Sequence, residues 1–143
     1  MISLPPSFEE RMKILLREEY DAFCHALQEP APVSIRLNPA KPFLPENDTI
    51  STNNPVEWCE HGYYLNERPI FTLDPVFHGG SYYVQEASSM FISHILKQIL
   101  PENPVRVLDL CAAPGGKSTL IASQLPPDSL LVANEVIRPR ANI

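Results

Sequence analysis

Val107 to Ala122 reads VLDLCAAPGGKSTLIA: an apolar run, a turn of small residues with adjacent glycines, and a Lys-Ser-Thr that opens a second apolar run. A continuous apolar run suits a strand buried in a parallel sheet, and a turn without bulk lets the chain pass straight from that strand into a helix. VRVLDL is then the first strand, KSTLIASQL the helix, and SLLVANE a second buried strand. This order is the opening β-α-β of a doubly wound sheet, whose ligands sit outside the carboxyl ends of its strands. The turn CAAPGG falls at that end.

A P-loop requires a Gly, four residues, and then Gly-Lys-Ser/Thr. Gly116, Lys117 and Ser118 supply its end, but Cys111 stands where the first Gly belongs, and that Gly is what lets the loop wrap a phosphate. The dinucleotide pattern G-x-G-x-x-G is absent too. What remains is a small-residue turn into a helix, with Glu135 ending the next strand. That pair suits a nucleoside without a phosphate chain. Backbone N–H groups approach a carboxylate closely at adjacent glycines, a helix start favours negative charge, and a strand-end acid accepts from both ribose hydroxyls. S-adenosylmethionine has such a carboxylate and such a ribose. The plainer reading is a glycine turn that serves helix packing beside a surface Glu.

Single residues around the turn carry paired readings. Asp109 holds either the turn or the ligand, and Gln85 and Glu86 either approach a cofactor or hydrogen-bond a strand end. Lys117 lies where a helix dipole disfavours a cation, so it needs a negative partner, ligand or protein acid. Cys111, small and under a tight turn, reads as packing rather than as a nucleophile.

Upstream, Ser7 and Glu10 form a capping-box pattern, and Phe8, Met12, Leu15, Leu16, Phe23 and Leu27 recur at helical spacing, predicting one amphipathic helix over 8–28. VSIRLNP alternates and predicts a strand with Arg36 on its polar side, and 39–55 reads as an irregular loop. VEWCEHGYYL and GGSYYVQEASS predict two further strands. Ser88 or Ser89 caps a helix through MFISHILKQIL, ended by Pro101, on which His94 reads as partly buried packing.

Apolar content of 44% and charged content of 20% describe a soluble globular chain, and 16 prolines against 5 glycines predict rigid connections. A formal charge of -6 announces no chain-wide nucleic-acid footprint, although a local basic face remains open. Cys24, Cys59 and Cys111 are odd in number and widely spaced, which fits neither a disulfide framework nor a metal pair and points to a reducing compartment. With no basic-then-apolar leader and no apolar run of membrane-spanning length, a cytoplasmic location is expected.

DLCAAPGGKST resembles the cofactor motif of the Sun-type RNA 5-methylcytosine methyltransferases, and YYVQEASS resembles the segment that precedes it there. SIRLNP, GYYL and FTLDPVFHGGSYYVQEASSM extend the resemblance over nearly the whole chain, closest to the bacterial branch that methylates ribosomal RNA. The resemblance implies an α/β chain: a small amino-terminal mixed α/β domain over 1–100, then the start of a Rossmann-like, S-adenosylmethionine-dependent methyltransferase domain over 101–143. It implies that Cys111, Ala112, Ala113, Pro114, Gly115, Gly116 and Lys117 line the methionine end of the cofactor and that Glu135 holds its ribose. The implied partner is RNA, ribosomal RNA in this branch, with no metal and no membrane. Family members carry paired catalytic cysteines in later Asp-x-Pro-Cys and Thr-Cys-Ser segments. Neither segment occurs here, so the chemistry is expected downstream of Ile143. The competing class is a non-catalytic RNA-binding or assembly module with a relic turn. Arg36 and Arg68, and Arg106, Arg138 and Arg140 beside the cofactor strands, are the candidate phosphate contacts.

Overall fold

The computed structural model describes residues 4–41, 50 and 52–142. The chain divides into two compact units, Met1–Pro32 and Val33–Ile143.

In the first unit, α1 (Pro6–Leu16) passes through a 3₁₀ turn (Arg17–Glu19) into α2 (Tyr20–Ala26). The start differs from the capping-box expectation. Pro5 occupies the cap position with no side-chain cap bond, and Pro6 opens the helix ahead of Ser7. A proline at the first helical position has its φ preset and lacks only an N–H that would be unpaired anyway, so it outcompetes a serine cap further along. The single predicted helix is also interrupted: Arg17 takes φ 48 and ψ -112, which no helix continues through. Phe8 and Phe23 meet with ring centroids 6.3 Å apart, whereas Ile14 and Leu15 are 77% and 69% exposed.

The second unit begins with β1 (Val33–Leu37), followed by β2 (Gly62–Leu65), α3 (Pro75–His78), β3 (Tyr82–Val84) and α4 (Ile92–Ile99). β4 (Arg106–Asp109), α5 (Gly116–Ala122), β5 (Leu130–Ala133) and α6 (Arg138–Ala141) complete it. β1 is central in an antiparallel sheet of order β2-β1-β3, with Arg36 opposite Gly62 on one side and Tyr83 on the other. Of the predicted strand VEWCEHGYYL only the last four residues are extended. Val56 to Gly62 fold into a turn, closed by the Gly62 N–H on Cys59 O (2.8 Å) and the Val56 N–H on Gly62 O (2.8 Å). At Gly62 a Cβ would lie 2.7 Å from Met90 Sδ, so the close approach of that turn to the core requires a glycine. Of the predicted 39–55 loop, 42–49 and 51 lie outside the described residues.

The helix after β3 begins without a serine cap. A 3₁₀ turn, Ala87–Phe91, leads into α4, and Ser88 Oγ donates to Glu86 Oε1 (2.8 Å) rather than receiving a helix N–H. The helix ends before Pro101 as expected, but His94 is exposed and bonds Gln98 (2.8 Å) one turn on.

β4 and β5 pair in parallel with α5 between them in sequence, Asp109 opposite Ala133. One core cluster, with Val56, Met90, Leu96, Leu120 and Ile121, joins this β-α-β to the small sheet's turn and to α4. A second, around Ile35, Phe71 and Tyr82, lies within the small sheet's own surroundings. Val107 and Leu131 face the first cluster. The strands are not buried on both faces, however: Leu108, Leu130 and Val132 are 58%, 54% and 48% exposed, because helices cover one face only among the described residues.

Candidate functional site

The β4–α5 turn is shaped from both of its ends. Asp109, at the end of β4, accepts the Cys111 N–H (3.1 Å) through Oδ1 and the Ser118 hydroxyl (2.6 Å) through Oδ2, tying the first residue of the turn to the first turn of α5. Of its two sequence readings, the structure supplies the turn-holding one. Gly115 caps α5 at φ 100, a conformation that side chains resist, and its N–H bonds Ala112 O (2.7 Å).

Glu135 follows β5 and reaches back across the turn. Its side chain is 7% exposed. Oε1 accepts the Ile137 N–H (2.9 Å), Oε2 accepts the Ala113 N–H (3.3 Å), and Arg140 Nη1 stands 3.8 Å from Oε2. The Ile137 N–H first, and then the Ala113 N–H and the Arg140 charge, hold the Glu135 carboxyl below the usual carboxylate range. Arg140 also donates through Nη2 to Ala113 O (2.7 Å). Sequence reasoning offered Arg140 as an RNA contact. Here it braces the acid and the turn together.

These groups surround a cavity of about 490 Å³, lined by Ala112, Ala113, Pro114, Gly115, Ser118, Ala133, Asn134, Glu135, Arg140 and Ala141. Of the site residues named from sequence, Ala112 to Gly115 and Glu135 line it. Cys111, Gly116 and Lys117 line a neighbouring cavity of about 230 Å³ on the other side of the turn, with Tyr83, Gln85, Glu86 and Ser89. Lys117 is exposed and forms no ion pair among the described residues.

Sequence reasoning missed what holds the turn from outside. The Tyr83 hydroxyl donates to Pro114 O (2.8 Å), and Gln85 Nε2 donates to Gly116 O (3.2 Å). Arg36 Nε donates to Gln85 Oε1 (2.9 Å), and Nη2 donates to Thr119 Oγ1 (2.6 Å) and Gly116 O (3.4 Å). Arg36 is 4% exposed, so its expected place on a solvent-facing strand surface is corrected: the polar face of β1 is pressed against the parallel sheet's turn. Burial pulls its pKa down. The signal in the sequence was Ser34 at i-2, which shares that face and is equally buried, bonding Gln85 O (2.6 Å). Arg68, Arg106 and Arg138 are exposed, and Arg68 lies 5.7 Å over the Phe71 ring.

A parallel β-α-β whose glycine turn and strand-end acid share one cavity at the carboxyl ends of the strands defines the class, the opening of a Rossmann-like fold. Residues 4–87 match the N-terminal domain of 16S rRNA methyltransferase RsmF, and residues 96–143 match the 16S rRNA methyltransferase RsmB/F family. The chain belongs to this family of rRNA methyltransferases. It is 35% identical to the ribosomal RNA small subunit methyltransferase F of Vibrio vulnificus and 31% identical to that of Erwinia tasmaniensis, in each case over 99% of this chain and 32% of the relative. The chain therefore spans about a third of the length of these curated relatives. Among solved structures, the crystal structure of PH0851 superposes with a TM-score of 0.78 at 27% identity, covering 96% of this chain and 32% of that one. A methyltransferase homolog protein from Pyrococcus horikoshii superposes with a TM-score of 0.68 at 26% identity, covering 97% and 51%.

Proposed function

We propose that the protein transfers a methyl group from S-adenosylmethionine to carbon 5 of a cytosine in ribosomal RNA, and that these residues supply part of its cofactor site. The observation that carries the reading is Glu135, a nearly buried, ionised acid at the end of the second strand, held by a turn amide and lining the same cavity as that turn. An acceptor so placed fits the two hydroxyls of a ribose, and the small residues Ala112 to Gly115 leave room for backbone groups to meet the amino-acid end. The relatives' names support the ribosomal substrate.

The cofactor supplies an electrophilic methyl group on a sulfonium. Cytosine becomes nucleophilic at carbon 5 when a thiolate adds to carbon 6. After methyl transfer, a base removes the carbon-5 proton and the thiolate leaves as the 5,6 double bond re-forms. We assign that thiol to none of the three cysteines here: Cys59 is 3% exposed in the core, Cys111 sits in the cofactor turn, and Cys24 lies on α2 of the Met1–Pro32 unit; our reading puts it in the length of the family that this chain does not span. We place the functional division near residue 100, between an RNA-positioning part that holds the sheet β2-β1-β3 and a cofactor part that holds β4-β5, the two packed on one core cluster inside the compact unit Val33–Ile143. A cytoplasmic place of action goes with this substrate.

Calorimetry with S-adenosylhomocysteine on the whole protein tests the assignment. Loss of the acceptor in Glu135→Ala is expected to weaken binding by about tenfold to a hundredfold, the range for a hydrogen bond to a charged group. An unchanged affinity would remove Glu135 from the ribose. No binding at all by the unsubstituted protein would favour a relic turn in an RNA-binding module.

A further inference from the structure

The small sheet carries a cavity that the cofactor reading leaves unused. It encloses about 280 Å³, and Arg36, Asn38, Lys41, Tyr83 and Thr119 are among its walls. Among the described residues no Asp or Glu lines it.

Arg36 is the unusual wall. Its guanidinium is almost wholly buried, yet among the described residues all three of its hydrogen bonds go to neutral acceptors and it forms no ion pair. A buried cation without a counter-charge is costly, and the direction of its pKa agrees, with desolvation the leading cause. Lys41 adds a second positive charge. Its Nζ donates to Gly79 O (2.8 Å), and it too forms no ion pair among the described residues. Among the described residues the carboxylate bonded to a wall residue is that of Asp74, which accepts the Tyr82 hydroxyl (2.6 Å) and does not itself line the cavity.

Two cations, an amide, two tyrosines and a threonine around a volume just below the roughly 300 Å³ at which small-molecule sites begin suit one compact anion with a little of what it is attached to. Such a set recognises phosphate, and most hydrogen bonds from proteins to nucleic acids go to phosphate and sugar. We propose that this cavity binds a single backbone phosphate of the RNA. The inference rests on the reading that the protein acts on RNA, and it adds the place where the strand is gripped. It also gives Arg36 two roles, because the guanidinium that would face the phosphate already holds Gly116 O and Thr119 Oγ1 at the cofactor turn. A strand seated on the sheet thereby bears on the turn.

Lys41 is the residue to change, since the one described bond of its side chain goes to an exposed carbonyl and its backbone bond to Asn38 O does not need that side chain. In the whole protein, titration with inorganic phosphate is expected to shift the amide signals of Asn38, Lys41, Gly80 and Tyr83 saturably, and Lys41→Ala to weaken that binding several-fold. For a short single-stranded RNA, Lys41→Ala should flatten the dependence of log affinity on log salt by about 0.7, the slope of one phosphate contact. Lys41→Glu, which places a negative charge in the same wall, should remove the phosphate response. Shifts that never saturate, or that appear equally around Arg106 and Arg138, would overturn the site. A saturable phosphate site with an unchanged RNA salt slope would overturn the RNA assignment. Binding of S-adenosylhomocysteine, read on the unsubstituted protein, fails or succeeds independently, so loss of the methyltransferase reading is told apart from loss of this one.

Discussion

Glu135 shows how a strand-end acid is kept ready to accept. Its carboxylate takes the N–H groups of Ile137 and Ala113, and the first of these is the main reason its pKa falls below the ordinary 4.5. A carboxyl whose folded pKa is depressed contributes stability that is fully present above the unfolded pKa and is lost as pH falls through the folded value. The folded protein is therefore expected to lose part of its stability on acidification below about pH 4.5, and Glu135→Gln to lose less over that interval. Thermal midpoints of the two proteins across that range check it; parallel curves would mean the carboxylate is not held as described. The place of this residue just after β5 was legible in the sequence because a strand end is set by local pattern. Arg36 was not. Its side chain bonds Thr119, 83 residues on, and nothing in an alternating strand says that its polar face will be covered by a distant turn.

At the scale of elements the same contrast recurs within α1 and α2. Helical spacing of apolar residues continues through Arg17, so periodicity alone predicts one helix, yet the backbone there turns to φ 48. Positive φ costs an ordinary residue about 1 to 2 kcal/mol, and glycine is spared that at an entropic cost of about 0.5 to 1 kcal/mol. Arg17→Gly is expected to leave the break in place and to stabilise the Met1–Pro32 unit by up to about 1 kcal/mol. Amide exchange over α1 and α2 measures it, and faster exchange in the variant would argue that the segment prefers the continuous helix its pattern suggests. By contrast, β4, α5 and β5 were readable almost to their ends, because an apolar strand, a glycine turn and a short helix are each determined by residues within a few positions of one another. The strand expected over VEWCEH became a turn because Cys59 and Val56 are pulled into the core beneath it, a tertiary demand that strand propensity does not register.

At the scale of the whole molecule the parallel sheet has one finished face and one bare one. Val107 and Leu131 pack inward, whereas Leu108, Leu130 and Val132 point the other way at 58%, 54% and 48% exposure, with Val136 and Ile137 beyond them at 83% and 48%. Covering a side chain of this kind contributes about 1.5 to 3 kcal/mol, and a contiguous apolar patch on a soluble chain marks a surface that something occupies. β4 pairs only with β5 among the described residues, so the outer edges of both strands also present unpaired backbone groups. A sample consisting of these 143 residues is therefore expected to self-associate, with an apparent mass by light scattering that rises with concentration. Val132→Lys, on the bare face, should suppress that association without lowering the melting midpoint. Leu131→Lys, one position along and facing the core cluster, should unfold the protein instead. The pair separates a sticky face from a weak fold: association untouched by Val132→Lys would place the contact elsewhere, and a concentration-independent monomer with the face intact would mean that an apolar surface of this extent is tolerated in water.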